Sequence, residues 1–219
     1  MHAMSLEPSP RKEPVAFDQL MEGLLLHAMK DRLDSEARRR LRALGVDVDR
    51  PLISAYPLAA LLGTLKLCAK LRFPELPGDE ARYQLGRKTL EGFGATSMGK
   101  ALFGMARIWG ARRMLHHMTR VLQTGVNHAR AQAKDLLGGD VEVTVEVIAE
   151  YHAAIGAMPG LDPHFVRGII AQLTEVCGAH VPVQVMGPVG AGGHSITYRI
   201  QLSLAAPAAT APVVLAPVK

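Results

Sequence analysis

The chain has 219 residues, 48% of them hydrophobic and 21% charged, a balance that supports a sizeable core and excludes wholesale disorder. The formal net charge of +5 is modest for this length, and only 5% of residues are aromatic, which disfavours nucleic acid as a partner. No apolar run approaches the ~18 residues needed to span a bilayer, the first residues lack the apolar segment of a secretory signal, and two cysteines, Cys68 and Cys177, make no disulfide framework, so a cytoplasmic location is expected.

Residues 1–14 carry three prolines and read as a flexible N-terminal tail. Phe17, Leu20, Met21, Leu24, Leu25 and Ala28 then recur at helical spacing, predicting a helix over 17–29. Asp34 or Ser35 caps a short helix that Gly45 ends, and its arginines (Arg38, Arg39, Arg40, Arg42) read as a solvated face rather than an anion site. Tyr56-Pro57 opens the next helix, 58–71, which is apolar nearly all round and therefore buried; Cys68 inside it reads as an inert core thiol. Leu76-Pro77-Gly78-Asp79 is a turn leading to a helix that ends near Phe93-Gly94. Thr96 or Ser97 caps another to Trp109-Gly110, and a last one runs from Arg112 to about Thr124.

The period then changes from helical to alternating. Val141, Val143, Val145 and Val147 alternate with Glu142, Thr144 and Glu146, the mark of a strand with one buried face, and residues 128–134 are its hairpin partner across Gly138-Gly139-Asp140. Asp162-Pro163 starts an amphipathic helix with Phe165, Val166, Ile169, Ile170, Leu173 and Val176 on one stripe, ending at Gly178. Val181, Val183 and Val185 begin a third strand, and Ile196, Tyr198, Ile200 and Leu202 line a fourth. The fold class is therefore α+β: a helical N-terminal half packed with a four-stranded antiparallel sheet, two hairpins flanking one helix. A single domain over 15–204 is expected, followed by an Ala/Pro-rich flexible tail over 205–219.

Residues with chemical potential are sparse. The Gly187–Gly193 loop runs from strand to strand, so no helix N-terminus follows to face a phosphate, and a flexible hairpin turn is the simpler reading. His116 and His117 are adjacent and cannot face one metal together, and no zinc spacing occurs; His116 alone has the character of an axial haem ligand, a minor option. No nucleophile motif or carboxylate pair stands out, so an enzyme is unsupported and no catalytic residue is assigned. Phe93, Phe103, Trp109, Met114 and Met118 are the candidate lining of an apolar ligand pocket, the competing reading being an ordinary helix–helix core.

Two stretches carry a resemblance. Gly45, Asp47, Asp49, Arg50, Pro51, Leu52, Tyr56 and Pro57, followed by Leu85, Gly86, Arg87, Glu91, Gly92, Phe93 and Gly94, resemble the signature segments of a myxobacterial paralogous family of unknown function. The resemblance covers roughly 17–204 and implies no catalytic residues. The strand pair, helix with Arg167-Gly168 and second strand pair are also similar, as a fold-level analogy, to vinyl-4-reductase domains, haem–nitric-oxide-binding domains and transport-particle subunits. The cysteine-rich pattern of the first is missing. The Tyr-x-Ser-x-Arg haem-propionate motif of the second is missing too, the nearest stretch being Tyr151-His152-Ala153-Ala154-Ile155, which counts against haem.

The expectation is a cytoplasmic, non-enzymatic sensor or regulatory domain binding a small hydrophobic molecule in a pocket between helices and sheet, with no cofactor predicted. The alternative is a protein-interaction adaptor, dimeric or not, with a filled core and no ligand.

Overall fold

The computed structural model describes residues 12–156, 158–188 and 194–204. The tail expected over 205–219, most of the one expected over 1–14, and residues 189–193 of the glycine-rich turn lie outside the described residues. Of the N-terminal segment, Lys12 pairs with Glu150 at 3.0 Å and the Pro14 carbonyl accepts from the Leu58 N–H at 3.0 Å.

The first element differs from its sequence reading. Val15–Phe17 is a strand, β1, antiparallel to β2 (Ala55–Pro57), with Ala16 opposite Tyr56. Only then does the chain turn helical, as α1 (Asp18–Met21), running directly into a π-helical segment, Glu22–Ala28. Helical spacing could not reveal β1, because its partner lies some forty residues away. Pro57 is accordingly the last residue of β2 and the N-cap of α3 (Leu58–Arg72), one position earlier than expected.

The remaining helices start and stop on the chemistry of their ends. The Asp34 side chain accepts from the Ala37 N–H at 2.8 Å to begin α2 (Ser35–Ala43). After α4 (Gly78–Phe93), Thr96 accepts from the Gly99 N–H at 3.0 Å to begin α5 (Ser97–His116). That helix breaks at Gly110, whose φ of 74° only glycine adopts cheaply, and a second break at His117 separates α6 (Met118–Gln123). The expected helix from Arg112 to Thr124 is thus two pieces.

The C-terminal half has the expected order of strands and helix, except that the third strand starts at Val183 rather than Val181 and Leu202 lies in a short 3-10 turn after the fourth. β3 (Ala129–Asp135), β4 (Val141–Val147), β6 (Ser195–Ile200) and β5 (Val183–Pro188) form one antiparallel sheet in the order β3-β4-β6-β5. Val143 faces Tyr198 across β4 and β6, and all four β4 valines are buried. A short helix, α7 (His152–Ile155), precedes α8 (Pro163–Val176), which Asp162 caps through the His164 and Phe165 N–H groups. The Tyr198 hydroxyl donates to the Pro163 carbonyl at 3.0 Å, fastening the start of α8 to the sheet. No described helix is long and apolar enough to cross a membrane.

α4 is the axis on which the two halves meet. It crosses α8, and the two touch backbone to backbone: a Cβ placed on Gly86 would collide with the Phe165 carbonyl, and one on Gly168 with the Tyr83 carbonyl. On another side α4 meets the π-helical segment, where a Cβ on Gly92 would lie 2.5 Å from the Gly23 carbonyl oxygen. Side chains seal the α4–α8 seam. Arg87 reaches both Glu175 oxygens at 2.7 Å, Arg167 reaches Glu80 at 3.0 Å while lying over the Tyr83 ring, and Arg82 reaches the capping Asp162 at 2.8 Å.

Gly168→Ala should destabilise the fold by about 1–3 kcal/mol or more, because the added methyl meets main chain that cannot rotate away. Gly104→Ala, in the middle of α5 with open space around it, should instead stabilise by about 0.5–1 kcal/mol through helix propensity. Urea unfolding midpoints of the two variants check both signs.

Candidate functional site

A pocket of about 80 Å³, partly open to solvent, lies among the helices beyond the glycine contact. Leu61, Leu62 and Leu65 of α3, Thr89, Leu90 and Phe93 of α4, Val121 and Leu122 of α6, and Phe165, Val166 and Ile169 of α8 line it. Leu20, Thr124–Val126 and the Gly160–Asp162 loop complete the wall. No strand residue contributes. The sequence predicts a pocket between the helical half and the sheet; at the face where α8 meets the sheet, Ile170 and Leu173 of α8 and Val143, Val145 and Tyr198 of the sheet are all fully buried.

The lining polar groups are already engaged. Thr89 donates to the Leu85 carbonyl at 2.8 Å and Thr124 to that of Val121 at 2.7 Å. Asp162 is held by two backbone N–H groups and Arg82. What remains facing the void is hydrocarbon, so the space has too few polar partners to hold ordered water.

Of the five residues proposed from sequence, Phe93 lines this cavity. Met114 and Met118 are fully buried in the core. Phe103 packs against Gly94, and Trp109 stacks between Arg113, at 4.7 Å from the ring, and His117, at 4.9 Å. The other lining residues are mostly ordinary aliphatic side chains from five separate helices. Nothing in their local spacing marks them, because only packing brings them together.

The other candidates are placed as follows. Arg38 and Arg42 both reach Asp49, Arg42 also approaches Asp47, and Arg39 pairs with Glu36, so these α2 arginines have partners within the chain. Their hydrogen bonds hold the Asp49 carboxyl below its ordinary range. His116 faces Asp135 at 3.4 Å, away from the cavity. Cys68 and Cys177 are free thiols, pushed up by burial to about 12 and about 11, which makes them unreactive as nucleophiles. Among the described residues no group of three metal-ligating side chains converges.

One titratable residue does bear on the cavity, and the sequence reading passed over it. His128, at the entry to β3, is 0% exposed and donates from Nε2 to the Gly160 carbonyl at 2.9 Å. It thereby holds the loop that forms one wall. Burial pushes its pKa below the ordinary 6.5, against the pull of that hydrogen bond.

Residues 15–201 match the model of the family described as a protein of unknown function, DUF2378. The chain belongs to that family. Comparison with curated proteins gives no match. Among solved structures, the chain is similar in fold to a doubly substituted Tt H-NOX domain, with a TM-score of 0.58 at 15% identity over 84% of this chain and 93% of that one. It is also similar to an oxygen-binding H-NOX domain related to soluble guanylate cyclases, TM-score 0.53 at 14% identity over 83% and 89%. A third similar structure belongs to a study of haem redox potential and porphyrin distortion, TM-score 0.54 at 16% identity over 79% and 88%. At these identities the likeness is one of fold.

The residues around the cavity do not suit a haem. A porphyrin is larger than the drug-sized ligands that occupy roughly 300–1,000 Å³, and the cavity has about 80 Å³. Its lining contains no His, Cys, Met or Tyr to serve as axial ligand. Its one ionic side chain, Asp162, has the wrong sign for propionates.

The His128 shift has a sign that can be checked. Above pH 6.5 the imidazole is neutral in folded and unfolded chains alike, and stability is at its full value. As pH falls below 6.5 the unfolded chain takes up a proton that the folded chain resists, and stability should drop. His128→Gln, which keeps a donor for Gly160, should flatten that acid-side loss in urea titrations run across this range.

Proposed function

We propose that this chain is a cytoplasmic, non-enzymatic sensor or regulatory domain whose helix-lined cavity takes a small hydrophobic molecule without haem. The observation that carries the reading is the cavity wall: continuous hydrocarbon, with Thr89, Thr124 and Asp162 each satisfied by neighbours. Dry apolar cavities of roughly 150 Å³ take up benzene or xenon. A volume of about 80 Å³ points to an occupant of a few heavy atoms. The H-NOX-like fold supports the reading to the extent that proteins of this architecture include an oxygen-binding domain. Because the wall is drawn from α3, α4, α6 and α8, an occupant would bear on their mutual packing, and the Gly160 loop held by His128 gives the wall a pH-sensitive section.

Xenon under pressure is the probe. It should raise the melting temperature of the protein, by roughly 2–4 °C for each kcal/mol of binding. Val121→Phe, which projects a ring into the void, should abolish the rise. The reading fails if xenon leaves the melting curve unchanged, or if the purified protein carries a Soret absorption band stoichiometric with the chain.

A further inference from the structure

We propose that the exposed face of α5 is a docking surface for an acidic amphipathic helix of a partner protein. The two faces of this helix are both apolar. Gly99, Leu102 and Ala106 turn inward and are buried. Met98, Ala101, Met105 and Ile108 follow one another by three, four and three residues, so they form a continuous line along the helix, and they face outward. Met98 and Met105 are each 42% exposed and Ile108 is 83% exposed. Scattered apolar residues on a surface need no explanation, but a line at coiled-coil spacing on a helix already anchored by its other side does.

The relief of this face suits a helix. Round the helix axis, Gly104 comes next to the apolar line, and a Cβ there would meet nothing within 4 Å. The line therefore borders a bare notch where another backbone could approach closely. Met98 and Met105 provide the adaptable walls that flexible thioether side chains give to binding grooves.

Charge selects the partner. Beyond Gly104 the helix presents Lys100 and Arg107, seven residues apart and so on one line; both are exposed, and neither has an ion pair among the described residues. The span Ser97–His116 contains Lys100, Arg107, Arg112 and Arg113 and no Asp or Glu. Two copies of this face brought together would oppose like charges, which disfavours self-association here. A helix with apolar residues at a and d and carboxylates along its edge would cover the Met98–Ile108 line and meet Lys100 and Arg107 at once.

The test uses the full chain and two synthetic peptides of about three heptads with Leu at a and d, one carrying Glu and the other Lys at e and g. Fluorescence anisotropy should show the acidic peptide binding and the basic one failing to bind, with affinity falling as salt is raised. Ile108→Glu should weaken binding by about tenfold or more. Gly104→Leu, at a position where a Cβ meets no neighbour within 4 Å, should weaken it too; circular dichroism identical to the parent would show both variants folded. The proposal is overturned if the acidic peptide does not bind, if both peptides bind equally, or if neither substitution changes the affinity. It is likewise overturned if light scattering shows a dimer of the chain that Ile108→Glu dissolves, which would give the face to a second copy.

Discussion

The close approach of α4 and α8 at Gly86 and Gly168 governs the rest of the molecule. Each glycine lies against a carbonyl of the other helix, so the contact is between two main chains, with no side chain that could rotate to relieve a change. The sheet is fastened to α8 through Tyr198 and Pro163, and the π-helical segment rests on α4 through Gly23 and Gly92. The glycine pair is thus one of several contacts between the helical half and the C-terminal half, beside those of Thr119 with the Ala131 backbone and Arg112 with Asp135. The ion pairs along the seam, Arg87 with Glu175 and Arg167 with Glu80, add orientation to a contact that shape already defines; partly exposed pairs of this kind contribute about 1 kcal/mol or less.

This arrangement gives the glycines of α4 a physical role. Gly86 and Gly92 are spaced so that α4 offers bare backbone in two directions, and Arg87 between them reaches across to α8. Farther along α4 the bulkier Thr89, Leu90 and Phe93 stand opposite Phe165 and Ile169, and the cavity is found there. In a fold similar to that of H-NOX domains, this chain has a narrow hydrocarbon space whose lining contains no His, Cys, Met or Tyr.

The surface shows a similar economy in α5. One side of the helix serves the core, while the other leaves Met98, Met105 and Ile108 in solvent beside Lys100 and Arg107, which have no ion pair among the described residues. The break at Gly110 ends this stretch, and beyond it Arg112 is committed to Asp135 and the Gly139 carbonyl. The two parts of the helix therefore face different surroundings.

The sequence by itself determined the elements whose signals are local. Alternating valines in β4, the Asp162-Pro163 start of α8, the Asp34 and Thr96 caps and the Gly110 break depend on residues within a few positions of one another, and all were legible. It also carried the family signature, though not the reason for it. Tertiary structure alone decided what depends on distant partners. Val15–Phe17 becomes a strand because Ala55–Pro57 lies beside it, overriding a helical pattern that starts at Phe17. The cavity wall combines mostly aliphatic side chains from five helices with two loop segments, and only Phe93 among the five aromatic and methionine candidates reaches it. Its position depends on how closely α4 and α8 approach, which is set by the absence of two methyl groups 82 residues apart, at Gly86 and Gly168. Periodicity reports which face of an element is apolar; it does not say which two faces will meet or how much space they leave.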